Sequence, residues 1–391
     1  MNKDIIWEKV NIASGVHTHP VFTYYRPCPI CNSINSKSVW RLNNFQFFTD
    51  DSKVTKQVDV CVQRCTNCYA LYLNPVYSQV GFEKLFAEAG CSYGSQSFRV
   101  NEEIDWLKQR NLLKPGIHVL DIGCYRGQFL ASLPGDLICT GVDIDQNAIN
   151  YAQNQYGCSR KNFICADFEK INIENQPDLV TMYHVLEHLP NPLEVLKQLR
   201  SLANDQTRLL IEVPILENGA TNDINGFFSV QHMTHFSRKS LHNLVSSAGW
   251  RIKELDEQDD YNGCRIICEP DIPGKIERAW GDLSLTYEYL SSWYHALVDV
   301  EKILAKYQEY KRWVIWGAGL HTEFLYQTTS FFTSNVNERE YIIVDSDPQK
   351  QGKKWRGVNI YSPGILEDYV VNAKIKCTKN ANEKCATIKS Q

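Results

Sequence analysis

The run Val119-Leu120-Asp121-Ile122-Gly123-Cys124-Tyr125-Arg126-Gly127 constrains the fold of this chain more than any other stretch. An apolar strand runs into a carboxylate and then into a glycine turn that opens a helix, an arrangement suited to holding a nucleoside cofactor. Three later segments repeat the strand-ending pattern: Cys139 to Asp145, Phe163 to Phe168, and Asp178 to His184. Four strand ends then converge on one edge, where open α/β sheets bind their ligands.

Asp143 lies 22 residues after Asp121, the distance at which an acidic residue meets ribose hydroxyls. NAD and S-adenosylmethionine both carry that ribose, so the glycine turn has to discriminate. A dinucleotide turn needs G-x-G-x-x-G for backbone amides to approach a pyrophosphate. Here only Gly123 and Gly127 are present, preceded by Asp121. A carboxylate repels a pyrophosphate but helps orient a sulfonium amino acid, so the pattern favours S-adenosylmethionine.

Asp121 to Gly127, Asp143, Ala166-Asp167-Phe168 and His184-Val-Leu-Glu-His-Leu-Pro190 together resemble the successive motifs of class I S-adenosylmethionine-dependent methyltransferases, over roughly residues 90 to 260. The resemblance implies a Rossmann-like core in which Asp121 sits near the methionine end, and Gly123 and Gly127 let the backbone approach the cofactor. It also implies that Asp143 takes the ribose and Asp167 the adenine amino group, with Ile144 and Phe168 walling the ring. Cys124 and Tyr183 belong to the same expected cofactor set. Tyr125 stands where the family commonly has glycine, which is tolerated if its φ stays negative.

The four cysteines Cys28-Pro-Ile-Cys31 and Cys65-Thr-Asn-Cys68 are separated by 33 residues, a spacing that brings four thiolates to one tetrahedral, closed and therefore structural zinc. A redox pair is the alternative for a single C-x2-C. The segment between them, with Trp40, Phe45, Phe47, Phe48 and Val58 to Val62, can supply short strands. Cys61 reads as an apolar strand position, and Cys124, Cys139, Cys158 and Cys165 as small buried hydrophobes.

With a net charge of -4 and a pI near 6.2, the chain lacks the basic stripe that nucleic-acid binding requires. Its N-terminus mixes charge into apolar residues, and it contains no 18-residue apolar run; no membrane association and a cytoplasmic location are expected. The 391 residues, 43% of them hydrophobic, suffice for two or three domains.

The fold class expected is α/β in three parts: a zinc-binding module over 1–75, a class I methyltransferase core over 76–270 and a Rossmann-like domain over 311–391, with a helical connector over 271–310. Helices are predicted over Gly81 to Ala89, Glu102 to Leu113, Pro192 to Leu202 and Ser237 to Ala248, the last with Ser237 as N-cap. Arg208 to Val213 reads as a fifth strand, and Trp250 to Asp256 with Cys264 to Glu269 as an antiparallel close to the sheet. In the last part Trp313 to Gly319 leads into a helix through Gln327, and Tyr341 to Asp345 makes a second strand. Because Thr322 replaces the third fingerprint glycine, this part reads as a shell shaping a substrate cleft rather than an NAD site. A third strand is expected over Val370 to Ile375, followed by a poorly ordered polar tail.

The three parts together resemble the zinc-containing C-methyltransferases of nucleotide-linked keto-deoxysugars. In those enzymes a Tyr-x-Glu-His motif before Tyr-Phe-Ser supplies a base. Here the segment reads Ser229-Val-Gln231-His232-Met-Thr-His235-Phe-Ser237, which retains His232 while Ser229 and Gln231 replace the tyrosine and glutamate. The resemblance implies His232 as general base, His188 near the methyl path and Tyr93 reaching the sugar from a lid. For His188, packing beside the cofactor stands equally with direct catalysis; His235 reads as a pocket wall or helix-entry residue. O-methylation of a sugar or glycan hydroxyl is the alternative, with an NAD-binding oxidoreductase or nonenzymatic scaffold behind it.

Overall fold

The structure, a computed structural model, describes residue 8 and residues 22–47, 56–86, 97–168, 176–221, 229–257, 262–332, 339–348, 350–366, 374–376 and 387–389. The chain opens with β1 (Thr23–Tyr24), β2 (Ser36–Gln46), β3 (Gln57–Cys65), β4 (Leu71–Leu73) and β5 (Val76–Tyr77), then α1 (Gln79–Phe86) and α2 (Ser97–Gln109). The central run is β6 (His118–Ile122), α3 (Gln128–Ser132), β7 (Ile138–Asp143), α4 (Gln146–Tyr156), β8 (Lys161–Cys165), β9 (Leu179–Tyr183), α5 (Pro192–Leu202) and β10 (Arg208–Pro214). It continues through β11 (Thr234–His235), α6 (Arg238–Ser247), β12 (Trp250–Glu257) and β13 (Gly263–Pro270).

These elements build a seven-stranded sheet of order β12-β13-β10-β9-β6-β7-β8, parallel from β10 to β8, with β13 antiparallel to β10. Its middle strands are apolar on both faces because helices cover both: β9 and β10 are buried almost throughout. The edge strand β12 alternates, with every second residue turned outward after Trp250. One core cluster packs Leu120, Val142, Val180 and Ile211 against Leu196 and Leu244, and another packs Val119 and Leu210 against Leu107 and Leu130.

The N-terminal sheet has the order β11-β4-β3-β2, so its last strand comes from residues about 160 positions later than its neighbour. That strand was not foreseen: two residues have no readable periodicity, and their partners, Thr234 with Tyr72 and His235 with Leu71, are distant in sequence.

The long α7 (Asp282–Ala305) leads to β14 (Arg312–Trp316), α8 (Leu320–Thr328), β15 (Glu340–Val344), β16 (Lys354–Trp355), β17 (Val358–Tyr361), β18 (Lys374–Lys376) and β19 (Thr387–Lys389). The strands form a further, six-stranded sheet in which β17, β15, β14 and β18 run parallel. Of the third strand expected over Val370 to Ile375, Lys374 and Ile375 fall in β18, while residues 370–373 and the polar run 377–386 lie outside the described residues. Trp293 of α7 and Phe324 of α8 pack with Trp40 of β2, at ring separations of 5.6 and 6.1 Å. No described helix is long and apolar enough to cross a membrane.

Two expectations about cysteines need correction. Cys158 is exposed and Cys165 only half-buried, because the former follows α4 in a surface turn and the latter ends a sheet-edge strand.

Candidate active site

The turn after β6 is built from its glycines. Gly123 has φ +76° and Gly127 φ +72°; a Cβ on Gly123 would lie 2.3 Å from Val185 Cγ2, and one on Gly127 2.4 Å from Phe163 Cε1. Protein side chains therefore fill the space that both glycines leave. Tyr125, expected at negative φ, has φ +46°. It adopts the left-handed conformation that favours glycine, at a local steric cost of roughly 1–2 kcal/mol. The backbone is held there by Asp143: Tyr125 N–H donates to Oδ2 at 2.8 Å, and Asp145 N–H donates to Oδ1 at 2.9 Å.

Burial raises the Asp143 carboxyl and pushes that of Asp121 up to about 8, although Thr181 Oγ1 donates to Asp121 at 2.6 Å. Ile144 is 42% exposed beside this turn, whereas Phe168 is buried in the core cluster that holds Val142 and Val180. Asp167 is half-buried at the same strand end. Cys124 is buried with its sulfur over Gly141. Tyr183 packs its ring 5.1 Å from Phe129, and its hydroxyl is buried without a hydrogen-bond partner among the described residues.

Beyond β9, His184 takes φ +53° and bridges two carboxylates. Its Nδ1 stands 3.2 Å from Glu187 Oε1 and its Nε2 2.9 Å from Glu212 Oε1. Burial pulls the His184 imidazole down, but the two glutamates outweigh it and hold the pKa at about 9. Glu212, fully buried on β10, also pairs with Arg99 at 2.5 Å and with Arg265. Burial works to raise both glutamates, yet their cationic neighbours hold them well below the ordinary carboxylate range.

His188 faces the same oxygen of Glu187, with Nε2 3.8 Å from Oε1, and its Nδ1 lies 2.9 Å from the Gln231 carbonyl. The His188 and His232 rings are 5.0 Å apart, and His235 is 6.4 Å from His232. One donor atom from each of Glu187, His188 and His232 lies within 4.8 Å of the others, a set that can hold a cation. The structure thus brings together His188 and His232, the two histidines given catalytic roles from the sequence, and adds His184, Glu187 and Glu212, which carried no such role. The H-x-x-E-H spacing of residues 184–188 was the visible signal for His184 and Glu187; Glu212, on β10, had none. Tyr93 lies outside the described residues.

A methyltransferase-domain family model matches residues 95–255. The chain is 33% identical over 168 residues to the ubiquinone biosynthesis O-methyltransferase of Coxiella burnetii (strain RSA 331 / Henzerling II), spanning 42% of this chain and 70% of that protein. This chain belongs to the S-adenosylmethionine-dependent methyltransferases. The corresponding protein of Glaesserella parasuis serovar 5 is 31% identical over 108 residues, 25% of this chain and 44% of its own. Among solved structures, magnesium protoporphyrin IX methyltransferase from Synechocystis PCC 6803 with bound SAM is 20% identical, with a TM-score of 0.35 over 49% of this chain and 92% of that one.

Outside the matched residues, the methyltransferase carries its four-cysteine cluster. Cys28 and Cys68 sulfurs are 3.6 Å apart, Cys31 and Cys65 sulfurs 3.5 Å apart, and all four lie within 4.8 Å of one another. Thiolates around a tetrahedral zinc with Zn–S of about 2.3 Å stand about 3.8 Å apart, so the donors fit that ion. At the far end of the chain, Asp345 repeats the construction of Asp143: its Oδ2 accepts from Ala318 N–H at 2.7 Å and its Oδ1 from Asp347 N–H at 2.8 Å. Lys350 Nζ stands 3.3 Å from the same carboxylate.

Proposed function

We propose that this methyltransferase methylates a carbon beside the ketone of a nucleotide-activated keto-deoxysugar, with His232 as general base. The observation supporting this reading is the meeting of His232 and His188 over the buried, anionic Glu187. A histidine accepts a proton near neutral pH, and a nearby carboxylate favours the imidazolium that results.

S-adenosylmethionine, when bound, supplies a methyl already activated on a sulfonium. The chain's residues then have to orient and deprotonate. In this reading Asp121, Gly123, Cys124, Gly127 and Tyr183 frame the methionine end. Asp143 and Ile144 meet the ribose and adenine, and Asp167 and Phe168 complete the adenine side. His232 takes the proton from the sugar carbon, and the enolate carbon left behind takes the methyl in line as its bond to sulfur breaks. Orientation supplies much of the acceleration. His188 lies along the methyl path and Tyr93 hydrogen-bonds the sugar. Zinc on Cys28, Cys31, Cys65 and Cys68 holds the module over 1–75, and the parts over 271–310 and 311–391 shape the sugar cleft.

The second reading, O-methylation, is favoured by the O-methyltransferase names of the relatives. Deuterium exchange separates the two. Incubating nucleotide-linked keto-deoxysugars labelled at the α-carbon with enzyme and S-adenosylhomocysteine should wash out the label if carbon is the acceptor. Full retention of label in a sugar that is nevertheless methylated at oxygen would overturn the first reading.

A further inference from the structure

We propose that Arg26 is a positioning residue, through which the cysteine cluster sets the placement of His188 and His232. Arg26 stands two residues before Cys28 and its side chain is buried. Its guanidinium donates to two backbone carbonyls: Nη1 to Pro190 O, and Nη2 to Met233 O at 2.6 Å. Pro190 follows His188 by two residues and Met233 follows His232 by one. A single planar fork therefore ties together the ends of both histidine segments.

The frame around the fork is itself anchored to the cysteine knuckles. Arg26 N–H donates to Asn74 Oδ1 at 3.0 Å, and Asn74 Nδ2 donates back to Arg26 O at 3.1 Å. Met233 O accepts a second bond, from Leu73 N–H at 2.9 Å, while Met233 N–H donates to Glu187 O at 2.7 Å. Leu73 ends β4, which begins three residues after Cys68 and pairs with β11 directly beyond Met233. The second knuckle thus fixes β4, β4 fixes Met233, and Arg26 joins Met233 to the His188 segment. Two divergent donors in one plane are what a guanidinium offers and an ammonium does not.

The consequence for rate rests on the reading of the two histidines as acceptor-side groups; their placement is measured separately. The test uses full-length protein labelled with ¹⁵N-histidine and saturated with S-adenosylhomocysteine, with His188→Ala and His232→Ala assigning the ring signals. Arg26→Lys and Arg26→Ala should shift both sets of signals while zinc content and S-adenosylmethionine affinity stay at wild-type values. Guanidinium ion should restore the signals in Arg26→Ala. Where an acceptor is in hand, the rate falls by up to about 10²-fold, as expected for misplacement of a reacting group by about 1 Å, with acceptor KM little changed. Wild-type ring signals in Arg26→Lys would show that the fork positions nothing. Loss of zinc or of cofactor binding in that variant would make Arg26 a folding residue, and either result overturns the proposal. Displaced ring signals with an unchanged rate would instead count against the histidines' catalytic role.

Discussion

Asp121 is a carboxyl that burial keeps protonated near neutral pH, with its pKa pushed up to about 8. A sulfonium amino acid brought beside it favours the ionised form and lowers that value. Binding should therefore release a proton whenever the pH lies below about 8 but above the lowered pKa, and affinity should rise with pH across that window. Calorimetry of S-adenosylmethionine binding in two buffers of different ionisation enthalpy reads this directly. Buffer-independent heats at pH 7, or undiminished proton release from Asp121→Asn, would remove Asp121 from the methionine end. His232→Ala should bind the cofactor normally yet transfer methyl about 10²- to 10⁴-fold more slowly. Near-normal turnover in that variant, alongside abolished turnover in His188→Ala, would move the base to the other loop.

The βαβ run of the core was readable because each element announces itself locally. Apolar strands run into Asp121, Asp143 and Tyr183, and Ser237 does cap α6, accepting from Ser240 N–H in a reciprocal capping box. What stayed hidden depends on contacts across the fold. Tyr125 looks unfit for positive φ until Asp143 is seen gripping its amide, and Glu212 is an unremarkable strand residue until His184, Arg99 and Arg265 surround it. The strand after His232 exists only because Leu71 and Tyr72 are there to pair with it. Ser237 tests the element scale: it also donates to Asp282 Oδ2 at 2.5 Å on α7. Replacing it with alanine removes a cap usually worth about 1 kcal/mol and leaves a buried carboxyl without that donor, adding about 1–3 kcal/mol. Chemical denaturation showing a loss below the cap alone would mean that the Asp282 contact contributes nothing.

At the scale of the whole molecule, one buried charge cluster joins α2, β10 and β13 with the turn after β9. Arg99, Arg265 and His184 all converge on Glu212. Removing the anion leaves Arg99, Arg265 and His184 with one carboxylate each, Glu103, Glu102 and Glu187, so Glu212→Gln should cost less than the roughly 3–5 kcal/mol of a wholly unpaired buried charge; a loss under about 1 kcal/mol in urea melts would show the cluster to be solvated. His184 should then lose its proton well below pH 9, since half of the charge that holds it is gone. At the other end, Cys65→Ser should lower bound zinc below one per chain and reduce solubility, because a structural zinc contributes folding energy. Freshly purified protein without zinc, or with a disulfide joining the knuckles, would contradict the assignment.

Asp143 and Asp345 perform the same backbone task in two different sheets, each gripping the turn that follows the neighbouring strand and the residue two places beyond itself. An aspartate at the tip of a parallel strand is thus first a rivet between adjacent crossovers, holding them at a fixed spacing before any nucleoside arrives. Ribose recognition, where it occurs, borrows lone pairs from a group already employed by the scaffold. A carboxylate at that position in a βαβ sequence accordingly marks a strand end more securely than it marks a cofactor.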